Sequence, residues 1–236
     1  MEVVNLSATS KIISQVHHKD RKALLETEAK VICAEYHIPV TISKLAKNQE
    51  EAMEYAEQIG FPIVLKIVSP EIIHKSDAGG VMINLNTSSE VRNAYETILE
   101  NAKKFNHAAE IVGVLVQEMA PPSTEVIVGA INDPQFGQTL MFGLGGIFVE
   151  LLKDVTFRIA PLTQDDANEM IKKVKAYPIL MGYRNTPPSD IEAIINILLN
   201  TSKLVMDYPQ IKEVDLNPIL VYQKGAKVVD TRIILK

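Results

Sequence analysis

The stretch from Phe61 to Asn84, FPIVLKIVSPEIIHKSDAGGVMIN, limits what this chain can fold into more than any other. Residues 62–68 form a continuous apolar run broken only by Lys66. A run of that length, bounded by turn residues, reads as a strand. An ammonium inside it needs an anionic partner or a water-filled cleft, so Lys66 is expected to face a ligand. Ser69-Pro70 then stiffens the chain and Ala78-Gly79-Gly80 frees it, which places His74 in a loop between a rigid joint and a permissive one. The reading is strand, exposed loop, strand, with an imidazole able to move and react.

The 236 residues are 47% hydrophobic and 22% charged, a balance that places the chain among folded proteins and leaves room for two lobes sharing a cleft. A net charge of −5, without a block of basic residues, argues against a nucleic-acid footprint. The single cysteine, Cys33, excludes an intrachain disulfide and a zinc finger, and fits a reducing cytoplasm. No apolar run reaches the roughly 20 residues needed to cross a bilayer. A soluble cytoplasmic protein is expected.

Residues 1–19 show no sustained period and read as an arm. From Asp20, taken as an N-cap, Leu25, Ala29, Ile32 and Tyr36 mark one helix face, with Cys33 beside it. A strand near 40–43 leads to a helix capped by Asn48, with Glu51 at its third position and Gly60 at its end. Val91, Tyr95, Ile98, Ala102 and Phe105 repeat at four, three, four, three and define another helix. With a strand over 112–117, residues 20–116 form a first α+β lobe. Gln117 to Pro122 then breaks the strand pattern with two prolines and reads as a hinge. The second lobe, 117–236, opens with a hairpin over 125–142 and continues with helices starting near Thr163 and Ser189. It ends in strands over 211–216, 219–222 and 227–234.

Phosphoryl transfer needs neutralised phosphate charge, usually from a lysine and Mg²⁺. Lys66 supplies the first. Asp215 and Asn217 share one strand face and Asp230 lies on a later strand, offering the hard oxygens that Mg²⁺ prefers. Polar residues at a strand end before Pro218 explain the same spacing equally well. His74 suits a phosphohistidine, because a neutral imidazole is a good nucleophile near neutral pH, although a lone loop histidine is more often a solvated bystander. No P-loop motif and no GxGxxG after a strand occurs.

Phe61-Pro62-Ile63-Val64-Leu65-Lys66 and the segment Ser69 to Val81 resemble the nucleotide-binding beta subunit of ADP-forming acetyl-CoA synthetases. So do Gln117-Glu118-Met119, Glu125 to Gly129, Gly143 to Glu150, Asp154-Val155, Gly182-Tyr183-Arg184 and Asp215-Leu216-Asn217-Pro218, in the same order. The resemblance runs from Lys19 to the end of the chain, and Asn185 stands where the family is expected to carry glycine. It implies an ATP-grasp fold of two α+β lobes holding nucleotide between them. It implies further that Lys66 contacts phosphates, that Gln117, Glu118 and Met119 meet adenine through their backbone, and that Glu125 helps hold the nucleotide. Asn217 and Asp230 match the Mg²⁺ ligands of the related succinyl-CoA synthetase beta subunit, and Asp215 matches the acid that faces its phosphohistidine. The implied reaction is a reversible relay. A separate CoA-binding alpha subunit, in an α₂β₂ assembly, turns acetyl-CoA and phosphate into an acyl phosphate and is itself phosphorylated. His74 then carries the phosphoryl group to ADP, giving ATP. Two rival readings are an autonomous ATP-grasp carboxylate ligase, which would not need His74, and a nucleotide-binding regulatory subunit without turnover.

Overall fold

The computed structural model describes residues 7–184 and 187–236, with only the backbone of residues 147 and 150. In chain order the elements are α1 (Ala8–His18), α2 (Glu26–Glu35), β1 (Ser43–Ala46), α3 (Gln49–Ile59), β2 (Ile63–Val68), β3 (Val81–Leu85), α4 (Ser88–Phe105) and β4 (Gly113–Glu118). Then come β5 (Thr124–Asp133), β6 (Gly137–Leu144), α5 (Ile147–Glu150), β7 (Val155–Ile159), α6 (Gln164–Lys173), α7 (Tyr177–Leu180), α8 (Ile191–Asp207), β8 (Ile211–Val221), β9 (Ala226–Val228) and β10 (Thr231–Leu235). They form two compact units. One holds residues 41–121 with 25–27; the other holds residues 122–236 with the N-terminal segment to Leu24 and residues 28–40.

In the unit of residues 41–121, four strands pair in the order β1-β4-β2-β3. The Asn48 side chain caps α3 by accepting from the Glu51 amide at 2.8 Å, as its spacing predicts, and Gly60 ends the helix with φ 94. The α4 stripe of Val91, Tyr95, Ile98 and Ala102 is buried, whereas Phe105, in the last turn, is exposed. Ile63, Leu65 and Ile67 of β2 join Ala52, Ala56, Val91 and Ile98 of the helices in one apolar core. Strand alternation turns Val64, Lys66 and Val68 to the opposite sheet face, and these are buried as well. Lys66 thus stands on the face turned away from the helices.

In the other unit, antiparallel strands run β10-β8-β5-β6-β7, with β9 on β8. The core face carries Val126, Val128, Leu140, Phe142, Val214 and Leu216, packed with Ile194, Leu198 and Met170 of α8 and α6. Thr163 and Asp166 form the expected capping box on α6, and α8 is capped by Asp190, one residue beyond the expected Ser189.

Three expectations are corrected. The described part of the expected arm, residues 7–19, is a packed helix: α1 buries Thr9, Ile13 and Val16, and Glu35 of α2 accepts hydrogen bonds from the Thr9 amide and hydroxyl at 2.7 and 2.6 Å. The following helix starts at Glu26 rather than Asp20, which sits in a turn at φ 52. Ala29, Ile32 and Cys33 bury it in the core of residues 122–236 rather than that of residues 41–121. Burial pushes the Cys33 thiol up to about 12, against the pull of Lys30, as suits a core cysteine. Pro218 does not split β8. Asn217 and Pro218 together face the single residue Ile127 across a register shift in β5, and the extra residue absorbs the missing amide donor.

Candidate functional site

Lys66 is 4% exposed, and its Nζ lies 2.8 Å from Oε1 of Glu26. The partner demanded by an ammonium in an apolar strand is thus a carboxylate of the chain itself, at the first residue of α2. The other Glu26 oxygen lies 3.0 Å from the Lys75 Nζ, so two lysines converge on one carboxylate whose side chain is 1% exposed. Glu26 and Lys75 escaped the sequence reading as functional residues. The signal for Glu26 was the rule that a buried lysine needs an anion, and the helix boundary placed at Asp20 hid where that anion sits.

Lys75 follows His74 in the loop joining β2 to β3. Ile72 and Ala78 are buried at the ends of this segment, while Ile73, His74, Ser76 and Asp77 between them are exposed. The turn is closed by the Gly79 amide donating to the Ser76 carbonyl at 3.0 Å and the Gly80 amide donating to that of Lys75 at 2.8 Å. Asn101 holds the exit by donating to the Gly79 carbonyl at 3.0 Å. Gly80 is required by close approach: a Cβ there would lie 2.5 Å from Cγ2 of Ile67 and 3.1 Å from the Lys75 carbonyl oxygen. Gly80→Ala is therefore expected to displace the loop from β2 and to cost about 1–3 kcal/mol of stability, as overpacking does. Thermal unfolding checks it, and an unchanged midpoint would contradict the close approach.

Gln117 is 1% exposed on β4 and pairs across the sheet with Val64, which puts it on the same sheet face as Lys66. The Glu118 amide donates to the Ile42 carbonyl at 2.9 Å and the Met119 amide to that of Pro62 at 3.2 Å. Those two donors are engaged within their own unit, which narrows what the segment's backbone can offer a base.

In the unit of residues 122–236, Glu213, Asp215 and Asn217 line one open sheet face, around a cavity of about 370 Å³ that also includes Gly129, Met141 and Phe157. The Asn217 amide donates to the Asp230 carbonyl at 3.2 Å, so these two residues stand across from one another where β8 meets the start of β10. Among the described residues no three His, Cys, Asp or Glu side chains cluster as a metal cage. A carboxylate and an amide oxygen on opposed residues are hard donors of the kind Mg²⁺ takes, with waters and phosphate oxygens in its other positions.

Arg232 pairs with Glu213 and lies 3.9 Å from Asp215. Burial pushes the Asp215 carboxyl above its ordinary 3.8, Arg232 pulls it down, and Glu213 and Asp230 add to the rise. A raised carboxyl disfavours the charged form in the folded state, so Asp215 loses stability for the fold as pH rises from below 3.8 through its folded value. Asp215→Asn is accordingly expected to melt no lower than wild type at neutral pH, with its relative advantage disappearing in acid. A lower neutral melting point would show that Asp215 is structural.

Glu125 is exposed at the rim of a cavity of about 700 Å³ lined also by Ser123, Leu144, Gly145, Gly146 and Tyr222. A Cβ on Gly145 would lie 2.8 Å from that of Glu125, and the Gly145 amide donates to the Glu125 carbonyl at 2.8 Å. Gly145, just after β6, thus packs directly on the start of β5. Asp154 ties the following segment by accepting from the Lys175 and Ala176 amides at 2.9 and 2.8 Å. Arg184 adopts φ 55, and the expectation about Asn185 lies outside the described residues.

Residues 15–235 match the sequence model of the ATP-grasp domain family. The chain is 55% identical over 229 residues to the beta subunit of acetate–CoA ligase (ADP-forming) II from Pyrococcus furiosus, covering 96% of this chain and 97% of that one. It is also similar to solved structures of the dinucleotide forming acetyl-coenzyme A synthetase 1 of Ca. Korarchaeum cryptofilum. One, in complex with coenzyme A, Ca-AMPCP and HgCl⁺, superposes with a TM-score of 0.95 at 53% identity, over 97% of this chain and 100% of that one. Another, with coenzyme A and Mg-AMPPCP, has its phosphohistidine segment pointing towards the nucleotide binding site; it gives a TM-score of 0.86 at 50% identity, over the same shares. With its two α+β units, its Lys66 strand and its His74 loop, the chain belongs to the ATP-grasp family, among the beta subunits of ADP-forming acetate–CoA ligases.

Proposed function

We propose that His74 carries a phosphoryl group from a CoA-binding alpha subunit to ADP, making ATP from acetyl-CoA, phosphate and ADP, and that the relay runs in both directions. The observation that carries this is an exposed imidazole on a loop anchored at both ends, beside a lysine that shares one buried carboxylate with Lys66. In the forward direction a neutral nitrogen of His74 attacks the phosphorus held by the partner's own histidine; one P–N bond forms as the other breaks. The new P–N bond then breaks as an oxygen of the ADP β-phosphate forms a P–O bond. Neither step releases the group to water, which is the physical reason for a carrier.

Lys66 would hold nucleotide phosphates on its sheet face, and Gln117, Glu118 and Met119 would border adenine. Because the Glu118 and Met119 amides already donate to the Ile42 and Pro62 carbonyls, that contact would use other backbone groups of the segment. Glu125 would help hold the nucleotide, and Asp215 would orient the histidine. Asn217 and Asp230 would hold Mg²⁺, which when bound neutralises phosphate charge. Residues 69–80 act as the phosphohistidine loop, and the working assembly is an α₂β₂ heterotetramer in the cytoplasm. No helix among the described residues is long and apolar enough to cross a membrane.

Reconstitution tests the reading. The purified chain alone is expected to form no ATP from acetyl-CoA, phosphate and ADP, and addition of a family alpha subunit should start turnover. Turnover without a partner would favour an autonomous enzyme, and none with it would sink the proposal.

A further inference from the structure

Glu26 is held by two lysines: Lys66, which the carrier reading gives to the nucleotide phosphates, and Lys75, which follows His74 in the loop. Its carboxylate lies 2.8 Å from one and 3.0 Å from the other and is almost wholly buried. Of residues 73–77, Lys75 is the one that is partly covered, its side chain 17% exposed and turned inward to Glu26. We propose that Glu26 is a latch for the His74 loop, closed by Lys75, and that phosphorylation of His74 opens it. This rests on His74 being the carrier.

The exchange follows from charge. A phosphoryl group brings about two negative charges and three acceptor oxygens to the residue next to Lys75, whose contact to the Glu26 carboxylate is shared with Lys66. Drawing Lys75 to the phosphoryl leaves Glu26 paired with Lys66, so opening strands no buried charge. Two lysines on one carboxylate make release cheap. The empty loop is thereby held against its own unit and the loaded loop is freed to travel. Loss of the phosphoryl group returns Lys75 to Glu26.

Hydrogen exchange read by mass spectrometry on the peptide spanning 69–81 tests this, with β2 and β4 as internal controls. The reporting amides are those of Ala78, Gly79 and Gly80, which donate to His74, Ser76 and Lys75 within the loop. In the unphosphorylated chain Lys75→Met is expected to speed loop exchange about tenfold while β2 and β4 stay protected, Glu26→Gln to speed loop exchange at least as much, and Lys75→Arg should stay near wild type. Phosphorylated wild type should exchange like Lys75→Met, and phosphorylation should not speed Lys75→Met further. Should Glu26→Gln loosen the whole unit, Lys75→Met decides, because it leaves the Lys66–Glu26 pair in place. Wild-type protection in Lys75→Met would overturn the latch, and slow exchange in phosphorylated wild type would overturn its release. If His74 takes no phosphoryl group, the carrier reading and the release step fall together, while the unphosphorylated Lys75→Met comparison still decides whether the latch exists.

Discussion

His74→Ala is expected to abolish ATP formation from acetyl-CoA by the reconstituted enzyme while leaving Mg-ADP affinity within about twofold of wild type, since the residue acts in transfer rather than in binding. The imidazole is exposed, and the loop around it is closed by backbone hydrogen bonds and by burial of Ile72 and Ala78. Alanine therefore removes a nucleophile without removing packing, and the melting temperature should not move. Turnover assays with calorimetric titration of Mg-ADP check both halves. Loss of nucleotide binding or of folding would count against a carrier.

Lys66→Met has the second largest expected effect, on stability and binding together. Removing one partner of a buried pair usually costs about 3–5 kcal/mol, and the lower end applies here because Lys75 still faces Glu26. Mg-ADP affinity should fall by about 10- to 100-fold, the worth of a charge-assisted contact to phosphate. Glu26→Gln separates the two effects: it should lower the melting temperature, while Mg-ADP affinity measured below that midpoint stays near wild type because Lys66 is retained. Unchanged affinity in folded Lys66→Met would remove Lys66 from the nucleotide site and leave it as a structural lysine.

Features set by local chemistry were legible in the sequence. The Asn48 cap, the Thr163–Asp166 box and the strand over the apolar run of β2 depend on residues within a few positions of one another, and the structure bears them out. What depends on distant partners was not. The helix α1 buries Thr9, Ile13 and Val16 at helical spacing, but a threonine in a short stripe among serines and lysines hides the period. Glu26 reads as one acid among several until the fold brings Lys66 and Lys75 to it from 40 and more residues away. Pro218 signals a break, and only the register shift opposite it lets β8 run on. At the candidate site the sequence nominates groups; the structure adds that Lys66 and Gln117 share a buried sheet face, that Asn217 and Asp230 stand across from one another, and that Lys66 already has an anion.

The central claim is tested most directly by incubating the purified chain with Mg²⁺ and ATP radiolabelled at the γ-phosphate, then mapping any acid-labile, base-stable label by peptide mass spectrometry. Label on His74, and its loss in His74→Ala, is the predicted result. A chain that binds nucleotide yet stays unlabelled, with the alpha subunit present as well as absent, would contradict the carrier.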